Sequence, residues 1–293
     1  MTTIILGCSG FIGTSISNIF SDYKKNIVKI SSKEVNLLSN ESSKNLENIL
    51  SLNASIIMCI GIKKQIGDNI ENWIKNEIIL KNFIKSLVKK PPKHLIYFSS
   101  ASVYGEDTNF NDFISETTSV NLRSYYGISK FNSETILKKI CNDYNIPLMC
   151  LRPPLIYGVN DLSKGYGPTL FTYRSLKKEP INLWGDGLEK REFIYVDDLA
   201  YLCKKILNRS LTGVVNTVSG TSYSYLDIIY TLQKLLGYKI EILNKNRTME
   251  KVDHNFSIKL HKDLFPDFKY TNLRKGLEKL CSEIIKNENK YDY

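Results

Sequence analysis

Three polar side chains in the middle of the chain could together move a proton at an alcohol or carbonyl carbon. Tyr126 and Lys130 are four residues apart, a spacing that puts them on one face of a helix. Ser100 follows an apolar, strand-like run at 94–99. A nearby ammonium favours tyrosinate, so the phenol could exchange protons near neutral pH while the serine hydroxyl polarises the reacting oxygen. These residues are the predicted catalytic set.

The Tyr-x-x-x-Lys spacing alone is weak support for this prediction. With 18 tyrosines and many lysines in the chain, about two such pairs are expected by chance. The same spacing occurs three more times, at Tyr173/Lys177, Tyr201/Lys205 and Tyr230/Lys234. Only Tyr126 comes one loop after a buried strand that ends in hydroxyl residues, and such strand ends face the ligand crevice of a parallel sheet. The alternative for Ser100 is a serine that only shapes the end of the strand.

A glycine-rich segment after the first strand-like run predicts a dinucleotide-binding turn. Its glycines are Gly7, Gly10 and Gly13. The first permits a tight turn, the second lets the backbone approach a pyrophosphate, and the third allows a helix to pack closely on the strand. The pyrophosphate is then expected at the N-terminus of the first helix.

The end of the second predicted strand bears on which dinucleotide is bound. Residues 27–30 run into Ser31, Ser32 and Lys33, with no acid at the tip to bind ribose hydroxyls. Lys33 could instead accommodate a 2′-phosphate, which favours NADP(H). Glu34 is close enough in the chain to leave NAD(H) open, and Lys33 could also be a solvated surface lysine.

Strand-length apolar runs alternate with amphipathic segments, which predicts an α/β protein with a doubly wound parallel sheet. We expect strands at 3–6, 27–30, 55–59, 94–99 and 148–151, and helices at 11–20, 42–52, 70–89 and 126–142. Residues 1–151 are predicted to form a Rossmann domain to which later segments return. Residues 152–293 are predicted to form mainly a smaller α/β substrate lobe, in which Ser224 caps a helix at 225–236.

Composition argues against several other classes of protein. No apolar run is long enough to span a membrane, and the chain starts with a strand-like run instead of a signal sequence, so we expect a cytoplasmic protein. The six cysteines are scattered and the three histidines lie far apart, so neither disulfides nor a metal site is expected. The net charge of +10 is spread over many helices, which favours a small anionic substrate over nucleic acid.

These motifs resemble the extended short-chain dehydrogenase/reductase family, the NAD(P)-dependent epimerase/dehydratase group that acts on sugar nucleotides. The resemblance runs nearly from end to end of the chain. Beyond the glycine-rich turn it includes the segments 99–105, 126–130, 151–153, 156–158 and 185–200, and Asn216 with Ser219-Gly220.

The resemblance implies roles for individual residues. Ser100 would polarise the sugar carbonyl, Tyr126 would act as acid or base, and Lys130 would bind the ribose and lower the tyrosine pKa. Arg191 would clamp the substrate pyrophosphate, unless it serves as a structural ion pair with Asp197 or Asp198. The family also commonly forms homodimers.

The implied ligand contacts extend this set. Cofactor contacts are expected at Gly7, Ser9, Gly10, Phe11, Ile12, Gly13, Lys33, Asn36, Leu37, Cys59, Gly61, Tyr126, Lys130 and Pro153. Substrate contacts are expected at Ser100, Ser102, Leu183, Trp184 and Arg191. For Leu183 and Trp184, core packing is an equally good interpretation.

Departures from the family pattern narrow the expected reaction. Ala101 and Ser102 stand where dehydratases carry Asp and Glu, which argues against dehydration. Ser102 also replaces the cysteine of reductases that epimerise neighbouring carbons, and Leu155 stands where many 4-epimerases have Asn. We therefore expect NADPH-dependent reduction of a nucleotide-linked 4-keto-6-deoxy sugar in polysaccharide biosynthesis. The alternatives are an NAD-dependent nucleotide-sugar 4-epimerase and a non-catalytic NAD(P)-binding sensor or scaffold.

Overall fold

The computed structural model describes residues 2–23, 26–110, 112–161, 163, 165–247 and 250–288. The chain divides into two compact units. The first unit contains the described residues within Met1–Glu106, Glu116–Pro153 and Leu199–Thr217. The second contains those within Asp107–Ser115, Pro154–Asp198 and Val218–Tyr293.

Strands and helices alternate along most of the chain. In chain order the strands are β1 Thr3–Leu6, β2 Ile27–Ile30, β3 Ser55–Met58, β4 His94–Phe98, β5 Leu148–Arg152, β6 Leu155–Tyr157, β7 Ile181–Trp184, β8 Lys190–Arg191, β9 Phe193–Tyr195, β10 Gly213–Asn216, β11 Tyr223–Ser224 and β12 Ile242–Lys245. The helices are α1 Phe11–Tyr23, α2 Ser42–Ile49, α3 Ile70–Lys89, α4 Tyr125–Asp143, α5 Pro168–Leu176, α6 Val196–Arg209, α7 Tyr225–Leu236, α8 Lys259–Leu264 and α9 Leu273–Glu288. Short 3-10 turns occur at Lys64–Ile66 and Ala101–Tyr104.

The first unit is built on a six-stranded parallel sheet with the strand order β10-β5-β4-β3-β1-β2. Every residue of β1, β3 and β4 is buried, as expected for strands covered by helices on both faces. The chain leaves β1 for the edge strand β2 and returns to β3, so the winding reverses between β1 and β3. This sheet confirms the predicted doubly wound fold, and its switch point is where such folds bind ligands.

Most predicted element bounds agree with the structure to within a few residues. Helix α3 has the predicted bounds, whereas β3 and β4 each end one residue early. Helix α2 ends before its predicted limit because Leu50 adopts an extended conformation. Ser224 caps α7 as predicted, and the carboxylate of Asp227 accepts a hydrogen bond from the Ser224 N–H at 2.8 Å in a reciprocal capping box.

The second unit combines three strand pairs with helices. Strands β6 and β9, and β7 and β12, pair in parallel, whereas β8 and β11 pair antiparallel. Aromatic side chains fill much of its core, and the rings of Tyr166, Phe171 and Phe193 pack around that of Tyr225. This core positions the segment 183–192, which carries the predicted substrate residues of this unit.

Candidate active site

The glycine-rich turn after β1 has no room for larger side chains at two positions. Gly7 has a φ of +85°, and a Cβ at Gly13 would lie 2.0 Å from the carbonyl oxygen of Gly7. The Ile30 carbonyl accepts hydrogen bonds from the N–H groups of Gly7 and Cys8, at 2.8 and 3.1 Å, which fixes the turn to the end of β2. The first N–H groups of α1 lack intrahelical acceptors and so fit a dinucleotide pyrophosphate.

The other predicted contacts of this turn differ in exposure. Ser9 and Gly10 are exposed, whereas Phe11 and Ile12 are half-buried. Exposed backbone at the start of a helix is accessible to a phosphate, so the turn retains the features of a dinucleotide site.

The end of β2 carries a carboxylate. Glu34 turns back and accepts hydrogen bonds from the Ser31 hydroxyl at 2.5 Å and the Ser31 N–H at 2.7 Å, which lower its pKa. Burial raises the pKa of the Cys8 thiol, and the negative charge of Glu34 adds to that rise. Glu34 is bonded to Ser31, and the carbonyl of the preceding Ile30 is bonded to Gly7 and Cys8. The carboxylate therefore lies near the glycine-rich turn, where NAD-binding proteins place an acid for the adenosine ribose.

Three further predicted cofactor contacts lie in or just after the turn that follows β2. Lys33 and Asn36 are exposed. Leu37 is 3% exposed, packs in the sheet core, and its carbonyl accepts a hydrogen bond from the amide of Asn82 at 2.9 Å. Only Lys33 and Asn36 therefore present their side chains to solvent or a ligand.

The segment after β3 faces the lysine of the catalytic set. Cys59 is half-buried, and a Cβ at Gly61 would lie 3.2 Å from Nζ of Lys130. The side chain of Asn76, on α3, accepts a hydrogen bond from the Ile62 N–H at 2.8 Å and donates to the Ile62 carbonyl at 3.1 Å. The amide of Asn76 thus holds this segment beside Lys130.

Ser100, Tyr126 and Lys130 lie together at the carboxyl end of β4. The hydroxyl of Ser100 lies near the phenol of Tyr126 and lowers the pKa of that phenol. Lys130 donates a hydrogen bond to the Phe98 carbonyl at 2.8 Å, and its Nζ lies 5.7 Å from the centre of the Tyr126 ring. The carbonyl of Pro153, the residue after β5, accepts a hydrogen bond from the N–H of Ala101 at 2.9 Å. This bond ties the end of β4 to the end of β5.

Burial sets the acid–base character of this group. It raises the pKa of Tyr126 to about 12, and the nearby hydroxyl of Ser100 opposes that rise only in part. Burial also lowers the pKa of Lys130 to about 8. Near neutral pH the phenol of the protein alone therefore carries its proton, which is the form that can protonate a carbonyl oxygen.

A buried ion pair behind the site joins β4, α4 and β5. Arg152 donates hydrogen bonds to both carboxylate oxygens of Glu134, at 2.9 and 2.6 Å, and each side chain is 6% exposed. Ser99 donates to the same carboxylate, and Arg152 donates to the hydroxyl of Tyr104 at 2.8 Å. The pair thus holds both ends of the hydroxyl-rich segment 99–104. Sequence reasoning missed it, although Glu134 lies one helical turn beyond Lys130.

The hydroxyl of Ser102 links the site to an ion pair at the surface. Ser100 donates a hydrogen bond to Ser102 at 3.0 Å, and Ser102 donates to the carboxylate of Glu106 at 2.6 Å. Glu106 forms an ion pair with Lys64. No spacing or motif in the sequence pointed to Glu106 or Lys64.

In the second unit, two arginines share one carboxylate. Nη2 of Arg191 lies 2.5 Å from one oxygen of Glu189, and Nη1 of Arg247 lies 2.5 Å from the other. Sequence reasoning considered Asp197 or Asp198 as a partner of Arg191. The carboxylate of Asp198 accepts hydrogen bonds from the N–H and hydroxyl of Thr271, at 2.8 and 2.9 Å. Arg247 was missed, and both guanidinium groups offer donors of the kind that bind phosphate.

The two residues predicted near the substrate base differ in exposure. Leu183 is 1% exposed and packs in the core of the second unit, so its side chain has a structural role. Trp184 is 42% exposed, and the ammonium of Lys245 lies 5.5 Å from the centre of its ring. Of these two side chains, only that of Trp184 is accessible to a ligand.

Two further kinds of feature are absent from the described ranges of the chain. No group of three or more His, Cys, Asp or Glu side chains among these residues could hold a metal ion. None of the helices in the same ranges is long and apolar enough to cross a membrane.

The chain resembles known proteins in sequence over most of its length. The model of the NAD dependent epimerase/dehydratase family matches residues 3–218. The chain is 28% identical to the dTDP-4-dehydro-6-deoxyglucose reductase of Escherichia coli over 234 residues, which cover 78% of this chain and 71% of that protein. It is 29% identical to the UDP-glucose 4-epimerase of Mycoplasma genitalium over 216 residues, which cover 64% of this chain and 63% of that protein.

A solved structure also resembles this chain. It is the UDP-glucose 4-epimerase of Thermotoga maritima with UDP-glucose, with a TM-score of 0.82 and 22% identity. The match covers 98% of this chain and 100% of that chain. At this identity the likeness shows a shared fold.

Proposed function

Because the chain belongs to the NAD-dependent epimerase/dehydratase family, we propose that it reduces the carbonyl group of a nucleotide-linked 4-keto-6-deoxy sugar. The observation that carries this proposal is the placement of Ser100 and Lys130 beside the phenol of Tyr126. Burial keeps the phenol protonated near neutral pH. A protonated phenol suits reduction, in which the carbonyl oxygen must gain a proton.

In the proposed reaction each side chain of the catalytic set has one task. Tyr126 donates its proton to the sugar oxygen as that oxygen gains negative charge, and Ser100 donates a hydrogen bond to the same oxygen. Lys130 keeps positive charge beside the phenol, which favours release of its proton. A bound nicotinamide dinucleotide supplies the hydride.

The cofactor of this proposal is NAD(H). The residue order favours NADP(H), but the carboxylate of Glu34, bonded to Ser31, stands near the glycine-rich turn. A carboxylate there can accept hydrogen bonds from ribose hydroxyls and repels a 2′-phosphate. Lys33, exposed beside it, is the residue that could reverse this preference.

In the same proposal, Arg191 and Arg247 bind the diphosphate of the substrate in the second unit. They share the carboxylate of Glu189, so a diphosphate would compete with that carboxylate for the same donors. Guanidinium groups bind phosphate oxygens in pairs, which suits a diphosphate better than a single carboxylate.

The proposal is tested by cofactor oxidation with dTDP-, GDP-, UDP- and CDP-linked 4-keto sugars. We expect one of them to be reduced, and we expect Tyr126→Phe to lower kcat by about 10²- to 10⁴-fold because the proton donor is lost. Tyr125→Phe is the matched control, since Tyr125 is the preceding residue of the same helix and is 41% exposed. The proposal would be contradicted if none of the four sugars led to oxidation of the cofactor.

A nucleotide-sugar 4-epimerase is the second candidate. The carboxylate of Glu34 favours it, because an epimerase that keeps NAD bound needs the unphosphorylated ribose. Such an enzyme would be purified with absorbance from its dinucleotide and would interconvert sugars with no net cofactor consumption. The same assays therefore separate the two candidates.

We also expect a homodimer. On α3 and α4, Ile70, Ile74 and Ile136 are 44%, 45% and 38% exposed, and an interface would remove this apolar surface from water. Sedimentation of the purified protein tests this expectation.

A further inference from the structure

A row of hydrogen bonds leads from Ser100, beside the phenol of Tyr126, to the carboxylate of Glu106. The Ser100 hydroxyl, which lowers the pKa of the Tyr126 phenol, lies 3.0 Å from that of Ser102, and the Ser102 hydroxyl lies 2.6 Å from Glu106. The carboxylate forms an ion pair with Lys64. All five residues belong to the first unit. Ser100, Ser102 and Glu106 can each carry a proton, so together with the neighbouring phenol they offer a path from Tyr126 to the surface.

The two serines can pass a proton because a hydroxyl both donates and accepts hydrogen bonds. While the phenol keeps its proton, Tyr126, Ser100 and Ser102 can each donate toward Glu106. Once the phenol has lost its proton, the reverse orientation lets each hydroxyl donate toward Tyr126. The Ser100 oxygen also accepts a hydrogen bond from the Ser102 N–H at 3.1 Å, which holds it in place in both orientations.

The outer end of this row is open to water, whereas Lys130 is not. The side chains of Glu106 and Lys64 are 29% and 36% exposed. Lys130 is 7% exposed and donates its hydrogen bond to the Phe98 carbonyl. Of these groups, the carboxylate of Glu106 is therefore the one placed to take up protons from solvent.

Net reduction creates a need for such a path. Each reduced carbonyl takes one proton from Tyr126, and that proton must be replaced from water before the next turnover. An epimerase returns to the same carbon the hydrogen that it removed, so its tyrosine recovers its proton within the cycle. A proton path to solvent is thus an expected feature of a reductase.

We propose that Ser102 and Glu106 form a proton relay that reprotonates Tyr126 from water after each reduction. Protonated Glu106 gives its proton to Ser102 as Ser102 gives its own to Ser100 and Ser100 gives its own to the tyrosinate. One O–H bond breaks at the carboxyl and one forms at the phenol, and the carboxylate then takes a new proton from hydronium. The relay rests on the proposed reductive function, because only net reduction consumes a solvent proton.

The direction of transfer follows from the environment of the phenol. Its pKa of about 12 is far above that of an ordinary carboxyl group, so transfer from a protonated carboxyl to the tyrosinate is favourable. A proton that reaches Glu106 can therefore be passed on to the tyrosinate.

The relay is tested with four variants in the reduction assay. Glu106→Gln keeps an oxygen that can accept the Ser102 hydrogen bond but cannot deliver a proton. Ser102→Ala cuts the row, whereas Ser102→Thr keeps the hydroxyl. Asp107→Asn is the matched control, because it removes the same charge from the next, exposed residue.

We expect loss of the relay to lower the steady-state rate but not the rate of the first turnover. In Glu106→Gln, a single turnover with enzyme in excess keeps the wild-type rate to within about twofold, because the phenol starts out protonated. Its steady-state kcat falls on the order of tenfold or more, and added formate or imidazole restores it as a substitute proton donor. Ser102→Ala lowers the steady-state kcat in the same way, and Ser102→Thr, which keeps the hydroxyl, recovers most of that loss. Asp107→Asn behaves as wild type.

Two results would overturn the relay. One is a wild-type kcat in Glu106→Gln, and the other is an equal loss in the first turnover and in the steady state, which indicates a positioning role alone. Wild-type protein that reduces no 4-keto sugar refutes the proposed function instead. Wild-type protein that epimerises without consuming cofactor refutes both, because no solvent proton is then required. Thermal unfolding of each variant confirms that it is folded.

Discussion

Each unit buries a glutamate beside a functional segment, and the two glutamates are stabilised in different ways. Glu134 in the first unit is held by the guanidinium of Arg152. Glu192 in the second unit, next to Arg191, is 1% exposed and accepts hydrogen bonds from the Ser219 N–H and hydroxyl and from the Gly220 N–H. Burial raises the pKa of Glu192 to about 7, because these neutral donors offset only part of the lost hydration.

The difference shows that the partner of a buried carboxylate determines whether the carboxylate is sensitive to loss of that partner or to a change in pH. A carboxylate paired with a guanidinium is sensitive to loss of the partner, because an uncompensated buried charge is costly. A carboxylate held by backbone N–H groups keeps its donors after most substitutions, but it can change its charge near neutral pH. The first arrangement suits a fixed site, and the second makes the second unit responsive to pH.

The largest expected effect comes from removing the cation of the first pair. Arg152→Met leaves Glu134 buried without its guanidinium and should lower the free energy of unfolding by about 3–5 kcal/mol. Urea unfolding measures this loss. The control is the double variant Glu134→Leu/Arg152→Met, which replaces the pair by apolar groups and should recover most of the stability. An equal loss in the single and double variants would contradict the ion-pair interpretation.

A smaller effect is expected from pH acting on Glu192. Its folded pKa of about 7 exceeds its ordinary value of 4.5, so its contribution to stability is complete below pH 4.5 and is lost as the pH rises to 7. At about 1.4 kcal/mol per pKa unit, the loss is on the order of 3 kcal/mol. Urea unfolding of wild type and Glu192→Gln between pH 4.5 and 7.5 measures it.

Other buried groups also titrate in this range, so the difference between the two proteins is the informative quantity. Burial raises the pKa of Asp198 to about 6, which acts in the same direction as Glu192. It lowers the pKa of His254 to about 4, so the contribution of His254 is complete above pH 6.5 and is lost as the pH falls. We expect wild type to lose stability relative to Glu192→Gln as pH rises; a constant difference would be inconsistent with the raised pKa.

The smallest expected effect concerns Glu34, an exposed glutamate that can be compared with the two buried ones. Glu34 is also held by the N–H and hydroxyl of a serine, but in water its pKa is lowered instead of raised. Glu34→Gln should weaken NADH binding relative to NADPH by roughly five- to tenfold, because a repelling charge near the 2′ position is removed. Fluorescence titration with both dinucleotides measures the ratio.

Lys33 provides the control for this measurement. It is exposed and next in sequence to Glu34. Lys33→Gln should have the opposite effect and weaken the binding of NADPH relative to NADH. Tighter binding of NADPH than NADH by wild type, with no change in Glu34→Gln, would restore the cofactor preference that the residue order suggests.

The parts of the fold and site that follow a local rule could be predicted from the sequence. The positions of the buried strands follow from their apolar runs, and the shared face of Tyr126 and Lys130 follows from helical spacing. The turn at Gly7 and Gly13 could also be predicted, because its conformation needs glycine at fixed places. Ser224 was identifiable as a cap because its capping partner lies three residues away.

The contacts that depend on the folded backbone could not be predicted. Arg152 and Glu134 meet only because β5 and α4 pack side by side, and no spacing in the chain encodes that distance. Glu34 reaches the end of β2 through a turn formed by its own side chain, so counting residues from the strand misplaces it. Glu106 is recognisable only after its hydrogen bond to Ser102 is known.

The strand order of the sheet limits how this protein can be divided into fragments. Strand β10 pairs with β5, yet the chain reaches β10 only after passing through much of the second unit. A fragment that stops after β5 would leave that strand as an open edge, and exposed apolar edges promote aggregation. Work on isolated halves therefore requires a permuted or spliced chain that restores residues 199–217.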